Sequence, residues 1–293
     1  MGAAAQTRPS DELAVLFPGQ GVGDPAVAEL VRARLPELLE LAAELAGADP
    51  FERIADGTRY AQPTIYCASL AGFEELGRPE ALAFAGHSLG EIAALAAAGA
   101  VDPSDGLRIA AERGRLMSEA AEAAGPGGML AVGGDRDAAL EFAEHAGLAL
   151  ANENSPEQFV LSGPEAALEL ARSEARGRGL RVKRLAVAGA FHSTDMEPAV
   201  EPFAEHLAGV EFDQPSAPVI SGATATPFEA DPRPQLVASL TNPVRWTKTM
   251  RHLRELGARR FCDVGPGRVL AKLVPRILDE VEVEPARKET IRV

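Results

Sequence analysis

The sequence predicts an α/β protein with a mostly parallel sheet, and three observations lead there. Short apolar runs end in glycine-rich turns and give way to Ala- or Leu-rich stretches with helical spacing. The segment 127–188 breaks that rhythm and reads β-α-β-β-α-β, a ferredoxin-like order. The length, 293 residues, suits one large domain or two smaller ones. The predicted architecture is therefore a large α/β domain built from residues 1–126 and 189–293, with a ferredoxin-like small domain, 127–188, inserted.

Each element has its own signal. Leu13-Ala-Val-Leu-Phe17 is a buried strand that stops at Pro18-Gly-Gln-Gly21, and residues 26–46 form a helical stretch. Ala81-Leu-Ala-Phe-Ala85 is a second strand, followed by the turn Gly86-His-Ser-Leu-Gly90 and an Ala-rich helix from Glu91. Pro103-Ser104-Asp105 opens another helix, with Ser104 as its N-cap. In the small domain, strands cover Met129–Val132, Leu148–Asn152, Phe159–Ser162 and Val182–Val187. Helices cover Arg136–His145 and Pro164–Arg176, and 154–157 is a turn. Arg259–Val264 is a strand, Gly265-Pro-Gly267 a turn and Arg268–Leu278 a helix. The last ten residues or so read as a loosely held tail.

Composition removes several classes of function. The chain is 46% hydrophobic and 25% charged, with a net charge of −14, which argues against a surface that tracks nucleic-acid phosphates. No apolar run is long enough to span a membrane, and no signal-peptide stretch opens the chain, so a cytoplasmic protein is expected. Cys67 and Cys262 sit among apolar neighbours and read as buried thiols. The five histidines show no metal-ligand spacing, so no metal is expected.

Gly86-His-Ser88-Leu-Gly90 is a G-x-S-x-G between a strand and a helix. Such a turn needs glycines where a Cβ would clash, and it pushes a serine hydroxyl out of the sheet above a helix N-terminus. Ser88 is the candidate nucleophile, and a serine needs a base. His87 adjoins it on a tight turn where neighbouring side chains diverge. His145, His206 and His252 lie in polar helical surroundings. His192 follows the small domain at the junction Ala188-Gly-Ala-Phe-His192, in the serine-then-histidine order of α/β enzymes with this elbow. Arg113 falls among Ile109, Leu116 and Met117, away from its helix's charged stripe. Its guanidinium meets either an internal carboxylate or backbone, or a substrate carboxylate gripped by paired hydrogen bonds.

These residues carry a resemblance. The segments Phe17-Pro-Gly-Gln-Gly21, Gly86-His-Ser-Leu-Gly-Glu91, Arg113-Gly-Arg-Leu-Met117, Ala190-Phe-His-Ser193, Asn242-Pro-Val-Arg-Trp246 and Asp263-Val-Gly-Pro-Gly267 run across nearly the whole chain. In order and spacing the chain resembles the malonyl-CoA:acyl carrier protein transacylases, the acyltransferase family of fatty-acid and polyketide synthesis.

The resemblance implies an α/β-hydrolase-like large domain with a ferredoxin-like insertion. It implies that malonyl passes from malonyl-CoA to Ser88 and on to the phosphopantetheine thiol of an acyl carrier protein, with no bound cofactor. His192 would be the base, Gln20 and Leu89 the backbone donors to the oxyanion, and Arg113 the grip on the malonyl carboxylate. Phe191 would narrow the acyl pocket toward malonyl. Where the family usually has a glutamine whose carbonyl orients the histidine, this chain has Ser239, which changes the acyl pocket while keeping a carbonyl. Val22-Gly23-Asp24, where the family often has Ser-Gln, is a second departure.

A carrier-protein thioesterase on the same scaffold shares the serine and the base. A binding module with a dead site would lack one of them. The chain is expected to act as a monomer. An acidic carrier must dock on local basic surface. Arg176, Arg178, Arg181, Lys183 and Arg184 form one such stretch. Arg245, Lys248, Arg251, Arg254, Arg259 and Arg260 form another.

Overall fold

The structure is a computed structural model that describes residues 12–19, 25–187, 189–265 and 267–285. Its strands are β1 (Leu13–Phe17), β2 (Ala83–Gly86), β3 (Gly127–Gly133), β4 (Ala149–Ser155), β5 (Gln158–Pro164), β6 (Arg181–Arg184), β7 (Val219–Ile220), β8 (Arg260–Asp263) and β9 (Glu282–Pro285). Five of them form one sheet in the order β7-β2-β1-β8-β9, parallel at every pairing. β1 lies at the centre and is buried along its whole length. A parallel strand covered by helices on both faces has no solvent side, hence its unbroken apolar run. Val15 and Phe17 pack into the core on one face, and Ala14 and Leu16 into the core on the other. Phe17, Phe73 and Phe84 meet at ring-centroid distances of 5.9–6.3 Å and anchor the first of these cores.

β3, β4, β5 and β6 form a separate antiparallel sheet in the order β4-β5-β3-β6, backed by the helices Arg136–Ala146 and Glu165–Glu174. This is the β-α-β-β-α-β order that the sequence predicts. The two sheets are tied at β4. Val244 N–H donates to Ala151 O at 2.9 Å, Glu153 N–H to Val244 O at 2.8 Å, and the Thr247 hydroxyl to Glu153 O at 3.2 Å. No helix among the described residues is long and apolar enough to cross a membrane, and Cys67 and Cys262 are buried free thiols.

Several local expectations are corrected. The stretch 26–46 is two helices, Pro25–Arg34 and Pro36–Ala46, broken at Leu35 (φ −138°, ψ 55°) because a residue before proline avoids the helical region. The helix Pro103–Ala124 is capped by Asp102, not Ser104. The Asp102 carboxylate accepts from Ser104 N–H at 2.8 Å, and Pro103 takes the first helical position, where no N–H is needed.

β4 runs on through Ser155, so the turn is confined to Pro156 and Glu157, while β6 stops at Arg184. The stretch 268–278 yields only the helix Val269–Leu273 and a 3₁₀ turn, Val274–Arg276, because Pro275 interrupts the ladder. Residues 286–293 of the expected tail lie outside the described residues. Just before them Glu282–Pro285 pairs with β8 as an edge strand.

Candidate active site

The candidate nucleophile stands where β2 turns into the helix Gly90–Ala97. Ser88 has φ +54°, a left-handed conformation that a side chain rarely adopts, and the elbow tolerates nothing larger around it. A Cβ on Gly86 would lie 2.0 Å from Glu91 N, one on Gly90 2.0 Å from Phe17 O, and one on Gly19 2.1 Å from His87 O. The glycines let β1, the elbow and the helix touch backbone to backbone, and that contact lifts Ser88 Oγ out of the sheet.

Ser88 Oγ lies 2.9 Å from His192 Nε2. His192, also in the left-handed region at φ +57°, turns its Nδ1 toward Ser239 O at 2.9 Å and Asn242 O at 3.1 Å. Carbonyls only accept, so Nδ1 carries the hydrogen and Nε2 is the acceptor that faces the serine hydroxyl. Two main-chain carbonyls thus do the orienting work that a carboxylate does in a Ser-His-Asp triad. Burial first, then the nearby Arg113 and His87, push the His192 imidazole down to about 3, so it is a neutral base at physiological pH.

Arg113 enters from the opposite side on the helix Pro103–Ala124. It is 2% exposed, donates to Gln62 Oε1 at 2.9 Å and reaches Ser88 Oγ at 3.4 Å. No carboxylate among the described residues forms an ion pair with it. Burial pulls its pKa down to about 10, partly offset by Glu91, so it remains a cation. A buried guanidinium with an amide on one side and open cavity beside the serine has capacity for an anion that no described residue supplies by direct contact.

Ser88, His192, Arg113, Gln62 and Phe191 line a cavity of about 780 Å³. Leu89 lines it too, at the N-cap of the Gly90–Ala97 helix, and its N–H has no hydrogen bond to another described residue. Gln20, the other expected oxyanion donor, lies outside the described residues, as do Val22, Gly23 and Asp24. Ser239 differs from expectation. It does not line the cavity, and its hydroxyl turns back to donate to Leu236 O at 2.7 Å in its own helix turn. Its carbonyl faces His192, so substitution at this position leaves the orientation of the base intact while its side chain stays out of the acyl space.

The other histidines do not face Ser88. His145 faces Glu174 at 3.1 Å, and neither His206 nor His252 lines the cavity. His87 does line it, but its ring packs on Trp246 at 5.4 Å and its Nε2 sits 2.8 Å from Asn154 Oδ1. Burial lowers its pKa. This contact also joins the elbow to β4. Sequence reasoning missed Gln62, whose signal was a lone amide in the apolar run Ala61-Gln-Pro-Thr-Ile-Tyr66. It also missed the anchor made by Glu91. That carboxylate is buried, pushed up to about 7 by burial, and accepts from the Ser221 hydroxyl at 3.0 Å and Gly222 N–H at 2.6 Å.

An elbow serine, a neutral histidine and a buried arginine meet in one cavity, an arrangement whose chemistry suits acyl transfer. The chain belongs to the acyl transferase domain family, whose model matches residues 28–291. It is 37% identical over 288 residues to the polyketide biosynthesis protein ThaF of Burkholderia thailandensis, covering 91% of this chain but 24% of that one, so the chain spans about a quarter of that relative. The crystal structure of a malonyl-CoA:acyl carrier protein transacylase from Xanthomonas oryzae superposes with a TM-score of 0.86 at 33% identity, over 94% of each chain. A malonyl-transacylase solved in complex with a holo type II polyketide acyl carrier protein matches with a TM-score of 0.82 at 33% identity, over 94% of this chain and 95% of that one.

Proposed function

We propose that this acyltransferase moves malonyl from malonyl-CoA to the phosphopantetheine thiol of an acyl carrier protein through an ester on Ser88. The observation that carries the reading is the buried Arg113 cation, which has no ion pair among the described residues and lies 3.4 Å from the candidate nucleophile. A dicarboxylic acyl group brings the missing anion.

In the first half-reaction Ser88 Oγ attacks the thioester carbonyl carbon while its proton passes to His192 Nε2. The oxyanion forms at the Leu89 N–H, with the Gln20 N–H as second donor; one such donor is worth about 3–4 kcal/mol. The carbon–sulfur bond breaks, and the CoA sulfur leaves as the thiol with the proton from His192. In the second half the carrier's thiol gives its proton to His192, attacks the malonyl ester, and Ser88 Oγ recovers a proton as it leaves. The chemistry needs no metal or resident cofactor.

Residues 127–188 act as a small domain over the large domain of 1–126 and 189–293, and the tie between β4 and the segment 244–247 holds it there. Ser88, His192 and Arg113 come from one chain, which supports a monomer as the working unit, and the two buried free thiols suit the cytoplasm. The same serine and base would serve a thioesterase, but Arg113 favours a dicarboxylic acyl group over a simple fatty one. The Phe191 ring on the cavity wall favours malonyl over branched units, a difference of about 1–3 kcal/mol for one methyl group's space.

Competition among malonyl-, methylmalonyl- and acetyl-CoA tests the reading in one experiment. Wild type is expected to use malonyl first. Arg113→Ala is expected to lose malonyl transfer by about 10²-fold, roughly 3 kcal/mol for one partner of a buried charge pair, and to gain relative acetyl transfer. An unchanged malonyl-to-acetyl ratio would make Arg113 structural.

A further inference from the structure

The catalytic cavity does not end at Ser88. Gly19 and His87 also line a cleft of about 220 Å³ that carries Lys272 and Arg276. Gln158 and Arg276 in turn line a second cleft of about 260 Å³ that carries Arg181 and Lys183. The three spaces adjoin one another, and their outer part is cationic.

The cations there differ from most of the surface. Arg115 is held by Glu112 and Glu119, Arg136 by Glu153, Arg172 by Glu169 and Arg233 by Asp231. Among the described residues, Lys272, Arg181 and Lys183 have no ion pair, and Arg276 donates to the neutral amide oxygen of Gln158 at 3.2 Å. Four exposed cations from two distant parts of the sequence converge on adjoining clefts in a chain of net charge −14. Such a local field is where an anionic group settles on an otherwise repelling molecule.

We infer that Lys272 and Arg276 form the subsite for the phosphate of the pantetheine arm, with Arg181 and Lys183 extending the field outward. The inference rests on the thioester-transfer reading above. Both substrates carry this arm, with a sulfur at one end and a phosphate at the other. With the sulfur at Ser88, an arm that follows the wall shared at Gly19 and His87 leads out to the Lys272–Arg276 cleft. Lysine offers a point charge and arginine a fork of donors, a pairing that suits phosphate oxygens.

The double variant Lys272→Ala/Arg276→Ala tests it, because both side chains are exposed and the fold has no need of them. Acylation of Ser88 is measured with malonyl-CoA and with malonyl-pantetheine, which lacks the phosphate. KM for malonyl-CoA is expected to rise about tenfold at unchanged kcat, as for loss of two partly exposed charged contacts, while malonyl-pantetheine is unaffected. Equal losses with both thioesters, or none, would overturn the subsite. The carrier half-reaction separates the sources: KM for holo-carrier must rise as well. A rise confined to the carrier would mean protein docking only, and a rise confined to CoA would mean contact with its adenosine-end phosphates, and either overturns a shared site. Calorimetric binding of 4′-phosphopantetheine against pantetheine reads the subsite without turnover. Wild type should prefer the phosphorylated form and the variant should not; a wild type with no preference would overturn the proposal. Wild type that binds the phosphate yet never acylates Ser88 would contradict the transfer reading instead.

Discussion

His192 combines two properties that pull in opposite directions. The Ser239 and Asn242 carbonyls favour its protonated form, while burial and Arg113 disfavour it more strongly, leaving it near 3 rather than near its usual 6.5. Between those values the unfolded chain holds a proton that the folded chain does not, so this residue makes stability fall as pH drops from 6.5 toward 3. Activity follows a different rule, because only the protonation state of the folded protein matters. The kcat/KM for Ser88 acylation is expected to stay flat from about pH 8 down to about pH 5, since that ratio reports the free protein's base. A pH–rate profile that loses half its value near 6.5 would show that the base is not the buried His192.

At the scale of elements, the site depends on three backbone segments in contact: β1, the turn 86–90 and the helix Gly90–Ala97. Gly90 is where β1 meets the helix most closely, with Phe17 O 2.0 Å from the place a Cβ would occupy. Gly90→Ala is expected to cost about 2–3 kcal/mol, as overpacking does, and to depress acylation by moving Ser88 off His192. Gly177→Ala serves as a control, because open space surrounds that position. Thermal melts in which the two variants behave alike would contradict the account of the elbow.

The elbow and the helix after it were legible from Gly86-His-Ser-Leu-Gly90, because a sharp turn leaves its mark in the residues that form it. The groups that hold Arg113 and His192 were less so. Gln62 contacts Arg113 from a separate helix, and the Ser239 and Asn242 contributions are carbonyls, which every residue possesses and no side chain announces. Glu91 was visible as a motif residue, but its partners, Ser221 and Gly222, lie far away in sequence. The edge strand Glu282–Pro285 was missed although Val281-Glu-Val-Glu284 alternates, because it is short and next to the terminus.

Over the whole molecule a net charge of −14 leaves local basic surface as the place for an acidic carrier. Of the basic stretch 176–184, Arg184 is spent inside the small sheet on Glu165 and on Met129 O, and Arg178 lies 3.8 Å from Glu174. Continuity in sequence overstated that patch, and the fold supplies Lys272 and Arg276 in its place. Arg181 and Lys183 remain outward on β6 and exposed. The double reversal Arg181→Glu/Lys183→Glu is expected to raise KM for the carrier several-fold and to flatten its salt dependence, because rim charges act on association. For acylation by malonyl-CoA, kcat should stay near normal and KM should rise less than for the carrier, because the pair only extends the field around the phosphate subsite. Stopped-flow of the two half-reactions at several salt concentrations separates these effects, and equal loss in both would assign the pair to holding the small domain.

The central claim is that a dicarboxylic acyl group rests as an ester on Ser88, gripped by Arg113 and placed there by His192. The most direct test is peptide mass spectrometry after acid quenching of wild type mixed with malonyl-CoA alone. A malonyl ester is expected on the peptide containing Ser88, discharged when holo-carrier is added and absent from Ser88→Ala. A malonyl adduct on any other residue, or a Ser88 peptide that stays unmodified while the carrier becomes charged, would contradict it.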